Sequence, residues 1–164
     1  VGRGKKKPGK SKGIRPSRVL GLDPGTRNFA FSFLVDGKLE RTGWVDSQDN
    51  VTDDSCFLNN CIELLLELKP DAVIAERYMF RGMQSVQTEL ISQMLGRLAV
   101  ITKLYIGQDL YQISSSQWKN FYKVRKLKNG TWDLFPEDEA RFEEIHQVDA
   151  ACIAKYGYER WCIK

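Results

Sequence analysis

The stretch Arg18–Val35, RVLGLDPGTRNFAFSFLV, decides how this chain is read. Val19–Asp23 has the composition of a buried strand. It stops at Asp-Pro-Gly and resumes at Phe29–Val35, where Phe29, Phe31, Phe33 and Val35 alternate onto one face. A strand that only packs has no need of an acid between Leu22 and Pro24. Asp23 is either the first residue of an ordinary turn or a carboxylate held at a strand end for chemistry. The residues themselves leave both open.

Outward from this stretch, Asp36-Gly37 is a hairpin turn, and Lys38–Val45 returns as a third strand. Asp53–Leu68 has helical periodicity and is stopped by Pro70. Asp71–Glu76, DAVIAE, is a short apolar strand that again ends on an acid, followed by a loop, RYMFRGM. Ser85–Tyr105 predicts a long helix, with Val86, Leu90, Met94, Leu98 and Ile101 as its apolar positions. Asp109–Ile113 is a fifth strand, and SSSQWKNFY opens a helix with a capping-box pattern from Ser114 to Gln117. A basic loop, KVRKLKNGTWDLFP, follows. Pro136–Tyr156 predicts the last helix, with Pro and acids at its start and Gly157 as its C-terminal cap. The order β-β-β-α-β-α-β-α predicts an α/β fold: a ribonuclease-H-like mixed five-stranded sheet flanked by helices on both faces, with the first and fourth strands as parallel neighbours.

The 164 residues are 42% hydrophobic and 28% charged, which suits one domain with a real core and excludes a long membrane span. No secretory signal is expected, so a cytoplasmic protein is. Cys56, Cys61, Cys152 and Cys162 show no zinc-ligand spacing and read as incidental thiols of a reduced compartment. Of 25 Lys and Arg, eight fall within residues 1–18, which hold no acid; the remaining 17 face 21 acids. Residues 1–17 therefore read as a disordered basic arm and residues 18–164 as a single domain. Such an arm either contacts nucleic-acid phosphates or only keeps the chain in solution.

If the first and fourth strands are parallel neighbours, Asp23 and Glu76 share the carboxyl edge of the sheet, where open α/β sheets place their ligands. His146 and Asp149 are three apart and share a helix face that could meet them there. Each has a plainer reading: a turn for Asp23, a pair with Arg77 for Glu76, solvent or core for His146. Together they suit hard divalent ions, Mg²⁺ or Mn²⁺. Two such ions about 4 Å apart can activate a water and stabilise a leaving oxygen in phosphodiester hydrolysis.

The segments GLDPGTRNFAFSFL, AVIAERYMF, ISSSQWKNF and HQVDAACIA, in this order over residues 18–157, resemble the RuvC-type Holliday-junction resolvases of the ribonuclease-H-like superfamily. The resemblance implies a homodimer that nicks two symmetric strands of a four-way DNA junction, leaving ligatable 5′-phosphates. It implies two Mg²⁺ or Mn²⁺ ions per site on Asp23, Glu76, His146 and Asp149. Tyr78 and Phe80 fall near the position that stacks a junction base, and Ser85–Tyr105 corresponds to the dimer helix, with Leu90, Met94, Leu98 and Gly96 as its seam. Lys119, Lys123, Arg125, Lys126 and Lys128 are candidate phosphate contacts. The basic loop and the arm depart from the family pattern and suggest a divergent, phage-type member; activity on other branched DNA is expected only from these departures. Three rivals stand beside this reading. LDPGTRN also resembles the phosphate-binding hairpin of actin/sugar-kinase-like ATPases, which need a second lobe and a second glycine-rich loop that this sequence lacks. A related nuclease acting on RNA and a catalytically dead nucleic-acid-binding module are the others.

Overall fold

The computed structural model describes residues 16–25, 28–46, 54–77 and 86–160. Strands β1 (Arg18–Pro24), β2 (Asn28–Val35) and β3 (Lys38–Asp46) are followed by helix α1 (Asp54–Leu68), β4 (Ala72–Arg77), α2 (Val86–Ile106), β5 (Leu110–Ser114), α3 (Ser115–Phe121) and α4 (Ile145–Arg160). The five strands form one sheet in the order β3-β2-β1-β4-β5. β2 runs antiparallel to β1 and β3, whereas β1–β4 and β4–β5 are parallel. This is the expected mixed sheet.

The period of two along each strand divides the core. Leu20, Leu22, Phe29, Phe31, Phe33, Val73 and Ala75 face α1 and α2, where Phe57, Leu65, Ile91 and Leu98 meet them. Val19, Leu34, Ile74 and Ile113 face the other way, onto Trp118 of α3 and Val148, Ala151 and Ile153 of α4. Gly21 and Asp23 keep step with Val19, and Glu76 keeps step with Ile74. Both acids therefore point to the α4 side.

α4 can lie close to that face because small residues line the contact. A Cβ on Gly21 would run into the Ala150 carbonyl oxygen and stand 2.6 Å from the Ala154 nitrogen. A Cβ on Gly157 would run into the Ile74 side chain. Gly157 is thus a packing residue inside α4, which continues to Arg160, and not the expected helix cap.

The last helix is also shorter at its start than the sequence pattern suggests. Pro136–Arg141 is a 3-10 helix, Phe142 is extended (φ −99°, ψ 132°), and α4 begins only at Ile145. Three sets of contacts account for the break. The Arg141 guanidinium donates to the backbone carbonyls of Leu39 and Glu40, each at 2.6 Å. Phe142 is buried between Phe135 and Trp132. The Gln147 side-chain oxygen accepts from the backbone N–H groups of Glu143 (2.6 Å) and Glu144 (3.4 Å). The segment read as a basic loop is likewise structured, with 3-10 turns at Val124–Lys126 and Gly130–Leu134. It is anchored because Val124, Trp132, Leu134 and Phe135 pack on the α4 side of the core.

α2 differs from expectation in its faces. Met94 and Leu98 are buried in the protein's own core, so they are not a dimer seam. The apolar side chains it leaves exposed are Val86 (74%), Val100 (59%), Leu104 (74%) and Tyr105 (47%). Cys56, Cys61 and Cys152 are free thiols. Cys162 and residues 1–15 of the basic arm lie outside the described residues. Ser17, at the arm's end, is tied to the domain, its N–H donating to Asp71 (3.0 Å) and its hydroxyl to Asp36 (2.8 Å).

Candidate metal centre

The parallel pairing Leu22↔Ala75 brings the ends of β1 and β4 side by side, with Asp23 and Glu76 one step beyond it. α4 presents its first turn across this edge. It is fixed there by the Gly21 contact and by Ser32, whose buried hydroxyl donates to the Gln147 carbonyl at 2.8 Å. His146 and Asp149 sit on that turn, so all four sequence-derived candidates meet at one place.

Each carboxylate has a different neighbour. Asp23 Oδ2 is 2.8 Å from His146 Nδ1. Glu76 Oε2 accepts from the Trp118 indole N–H at 2.8 Å. Asp149 Oδ2 stands 3.5 Å from Lys119 Nζ, and its Oδ1 is buried with no hydrogen-bond partner. Neither plainer reading of the strand-end acids holds: Asp23 bonds across to α4, and Glu76 bonds to Trp118.

Electrostatics bind the group together. Burial pushes the Asp23 carboxyl above its ordinary value; the His146 hydrogen bond opposes this, the Asp149 charge adds to it, and Lys119 opposes it. Burial also raises Glu76, against the Trp118 hydrogen bond, with Asp23 and Asp149 adding and Lys119 opposing. A folded-state pKa above the unfolded value means that ionisation costs folding free energy. That cost is absent at low pH, where both states are protonated, and grows as pH rises past the unfolded-state value. A bound cation offsets it.

The donor types fit a hard divalent ion: one imidazole and three carboxylates, of which Asp149 has an orphaned buried oxygen. As placed, no group of three or more His, Cys, Asp or Glu side chains among the described residues closes around a single ion. Each acid is instead held by its own partner, Asp23 by His146, Glu76 by Trp118 and Asp149 by Lys119.

Two features escaped the sequence reading. Trp118, fully buried, holds Glu76, yet in sequence it is one more apolar residue of a short helix. Lys119, expected only as a phosphate contact, belongs to the acidic centre. By contrast, Lys123, Arg125, Lys126 and Lys128 are all exposed on the segment after α3 and have no acid partner among the described residues. Tyr78 and Phe80 lie outside the described residues.

The sheet order, the two-faced helix packing and the acids at the carboxyl edge define a ribonuclease-H-like α/β fold. Among solved structures, this chain is similar to Thermus thermophilus RuvC in complex with Holliday junction substrate, with a TM-score of 0.70 and 21% identity over 87% of this chain and 95% of that one. It is similar also to a second Thermus thermophilus RuvC structure, with a TM-score of 0.68 and 20% identity over the same shares. The chain has the RuvC fold. No protein-family model matches it, and no curated protein sequence matches significantly.

Proposed function

We propose that this chain is a divalent-metal-dependent, structure-selective endodeoxyribonuclease. It resolves four-way and other branched DNA junctions by paired symmetric nicks that leave 5′-phosphate ends. The observation that carries this reading is the convergence of Asp23, Glu76, His146 and Asp149 at the carboxyl edge of a RuvC-like sheet. These four side chains would hold two Mg²⁺ or Mn²⁺ ions. When bound, such ions supply an activated water and stabilise the leaving 3′ oxygen. The chain's own residues do the rest. Partial burial of Asp23 and Glu76 favours a cation that neutralises them, the Asp23 contact sets the His146 ring, and Lys119 offers an ammonium to a phosphate beside Asp149. Tyr78 and Phe80 supply aromatic rings for stacking an unpaired base. Residues 18–164 act as one nuclease domain and residues 1–17 as a basic arm. Among the described residues no helix is long and apolar enough to cross a membrane, and the reading places the protein with DNA in the cytoplasm.

Substrate choice tests it. In Mg²⁺, a synthetic four-way junction is expected to be nicked at symmetric positions in two strands, while linear duplex and RNA–DNA hybrid stay whole. Cleavage of the hybrid with the junction left intact would transfer the reading to an RNA nuclease.

Symmetric nicking calls for two sites, and α2 offers a seam for a second copy. Gly96, which has no atom within 4 Å of a Cβ placed on it, shares one face with exposed Val100 and Leu104 at successive i, i+4 positions. The parent is expected to be a dimer by light scattering at micromolar concentration, and Leu104→Glu a folded monomer. A monomeric parent, with and without junction, would remove the seam.

Affinity is set by the basic residues of the segment after α3 and of the arm. Neutralising Lys123, Arg125, Lys126 and Lys128, or deleting residues 1–15, is expected to weaken junction binding. Each lost phosphate contact flattens the slope of log affinity against log salt by about 0.9. Single-turnover cleavage at saturating protein should change little. Unchanged slopes in both variants would show that neither region touches phosphate.

A further inference from the structure

We propose that Trp118 is a positioning residue for the acidic centre, its indole N–H fixing one oxygen of Glu76 while its ring face carries the Lys119 ammonium toward Asp149. The inference rests on the metal-centre reading and goes beyond it, because Trp118 is itself no metal ligand.

Two contacts on opposite parts of one side chain support it. The N–H donates to Glu76 Oε2 at 2.8 Å, and Lys119 Nζ lies 4.8 Å from the centre of the ring while standing 3.5 Å from Asp149 Oδ2. A buried indole needs an acceptor, and any carbonyl would satisfy it. Here the acceptor is an acid of the site, and among the described residues the other oxygen of that acid has no hydrogen-bond partner. Such outer contacts fix the orientation of a ligating carboxylate. The ring is also an attractive surface for an ammonium, which narrows the directions open to Lys119.

Local structure holds Trp118 in place. Glu76 pairs with Ile113 in the β4–β5 register, and α3 starts directly after β5. The Gln117 side chain accepts from the Ser114 backbone N–H at 2.8 Å, closing the capping box at that start. Trp118 is therefore delivered beside the end of β4 with none of its surface exposed.

Trp118→Phe keeps an aromatic ring and removes the N–H. Mn²⁺ affinity, read from the electron paramagnetic resonance of free Mn²⁺, is expected to fall about 10–100-fold, with cooperative thermal unfolding retained. Equal affinity in parent and variant would overturn the proposal. The second arm needs no metal. The protein has four tryptophans and hence four indole N–H signals in a ¹H–¹⁵N spectrum. The Trp118 signal is identified by its absence in Trp118→Phe or, if that variant does not fold, by its cross-peaks to Glu76. Glu76→Gln is expected to move it upfield, because a neutral acceptor makes a weaker hydrogen bond than a carboxylate. An unmoved signal would overturn the proposal. A parent that binds no Mn²⁺ would sink the metal reading, and the indole signal would then decide the Trp118–Glu76 contact by itself.

Discussion

Asp23→Asn is expected to slow four-way-junction cleavage by about a thousandfold or more, the scale of losing a principal group that stabilises transition-state charge. Junction binding should be unchanged or slightly tighter. The substitution is nearly isosteric, and the amide can still face His146 Nδ1 across the 2.8 Å contact. What it removes is the negative charge that burial makes costly and that Asp149 crowds. An amide is a poor ligand for a hard divalent ion, whereas losing a negative charge beside phosphates removes a repulsion between them and the site. Single-turnover cleavage and a gel-shift titration on the same junction separate the two effects. Near-parental cleavage by Asp23→Asn would remove Asp23 from the chemistry.

The second large effect concerns stability. Gly21→Val is expected to cost about 3 kcal/mol or more, at or beyond the upper end for overpacked cores. The obstacle is backbone: the Ala150 carbonyl oxygen and the Ala154 nitrogen of α4. Neither can rotate away, so α4 must lift from β1, and lifting it draws His146 and Asp149 from Asp23 and Glu76. Gly157→Ala should cost less, because its obstacle is the end of the Ile74 side chain, which can turn. Urea unfolding of both variants checks the order. A Gly21→Val protein as stable as the parent would mean that α4 does not sit where its small residues place it.

The parts of the site carried by strand alternation were legible from the sequence. Asp23 and Glu76 are each the last in-step residue of a strand with a clear apolar pattern, and the β-β-β-α-β order makes those strands neighbours. His146 and Asp149 needed only the helical spacing of three. Most of the misread features depend on contacts far apart in the chain. Pro136 with three acids after it looks like a helix start, but Arg141 is claimed by carbonyls of β3 and Gln147 supplies the helix-end acceptor from within. Gly157 sits where a cap glycine would be expected, and only the sheet beneath it shows that it is there for close packing. On α2 the apolar residues are spread around the helix. Periodicity therefore could not tell Met94 and Leu98, which face the core, from Val100 and Leu104, which do not. Trp118 was hidden because its partner Glu76 lies 42 residues away and is reached only through the register of β4 on β5.

The central claim is that Asp23, Glu76, His146 and Asp149 together hold the ions that do the chemistry. Anomalous diffraction from crystals soaked in Mn²⁺ tests it most directly. The account predicts two peaks about 4 Å apart among these four side chains, with the orphaned Asp149 oxygen facing one of them. Full Mn²⁺ occupancy elsewhere with no peak among these residues, in crystals of protein that cleaves a junction in the same buffer, would contradict it.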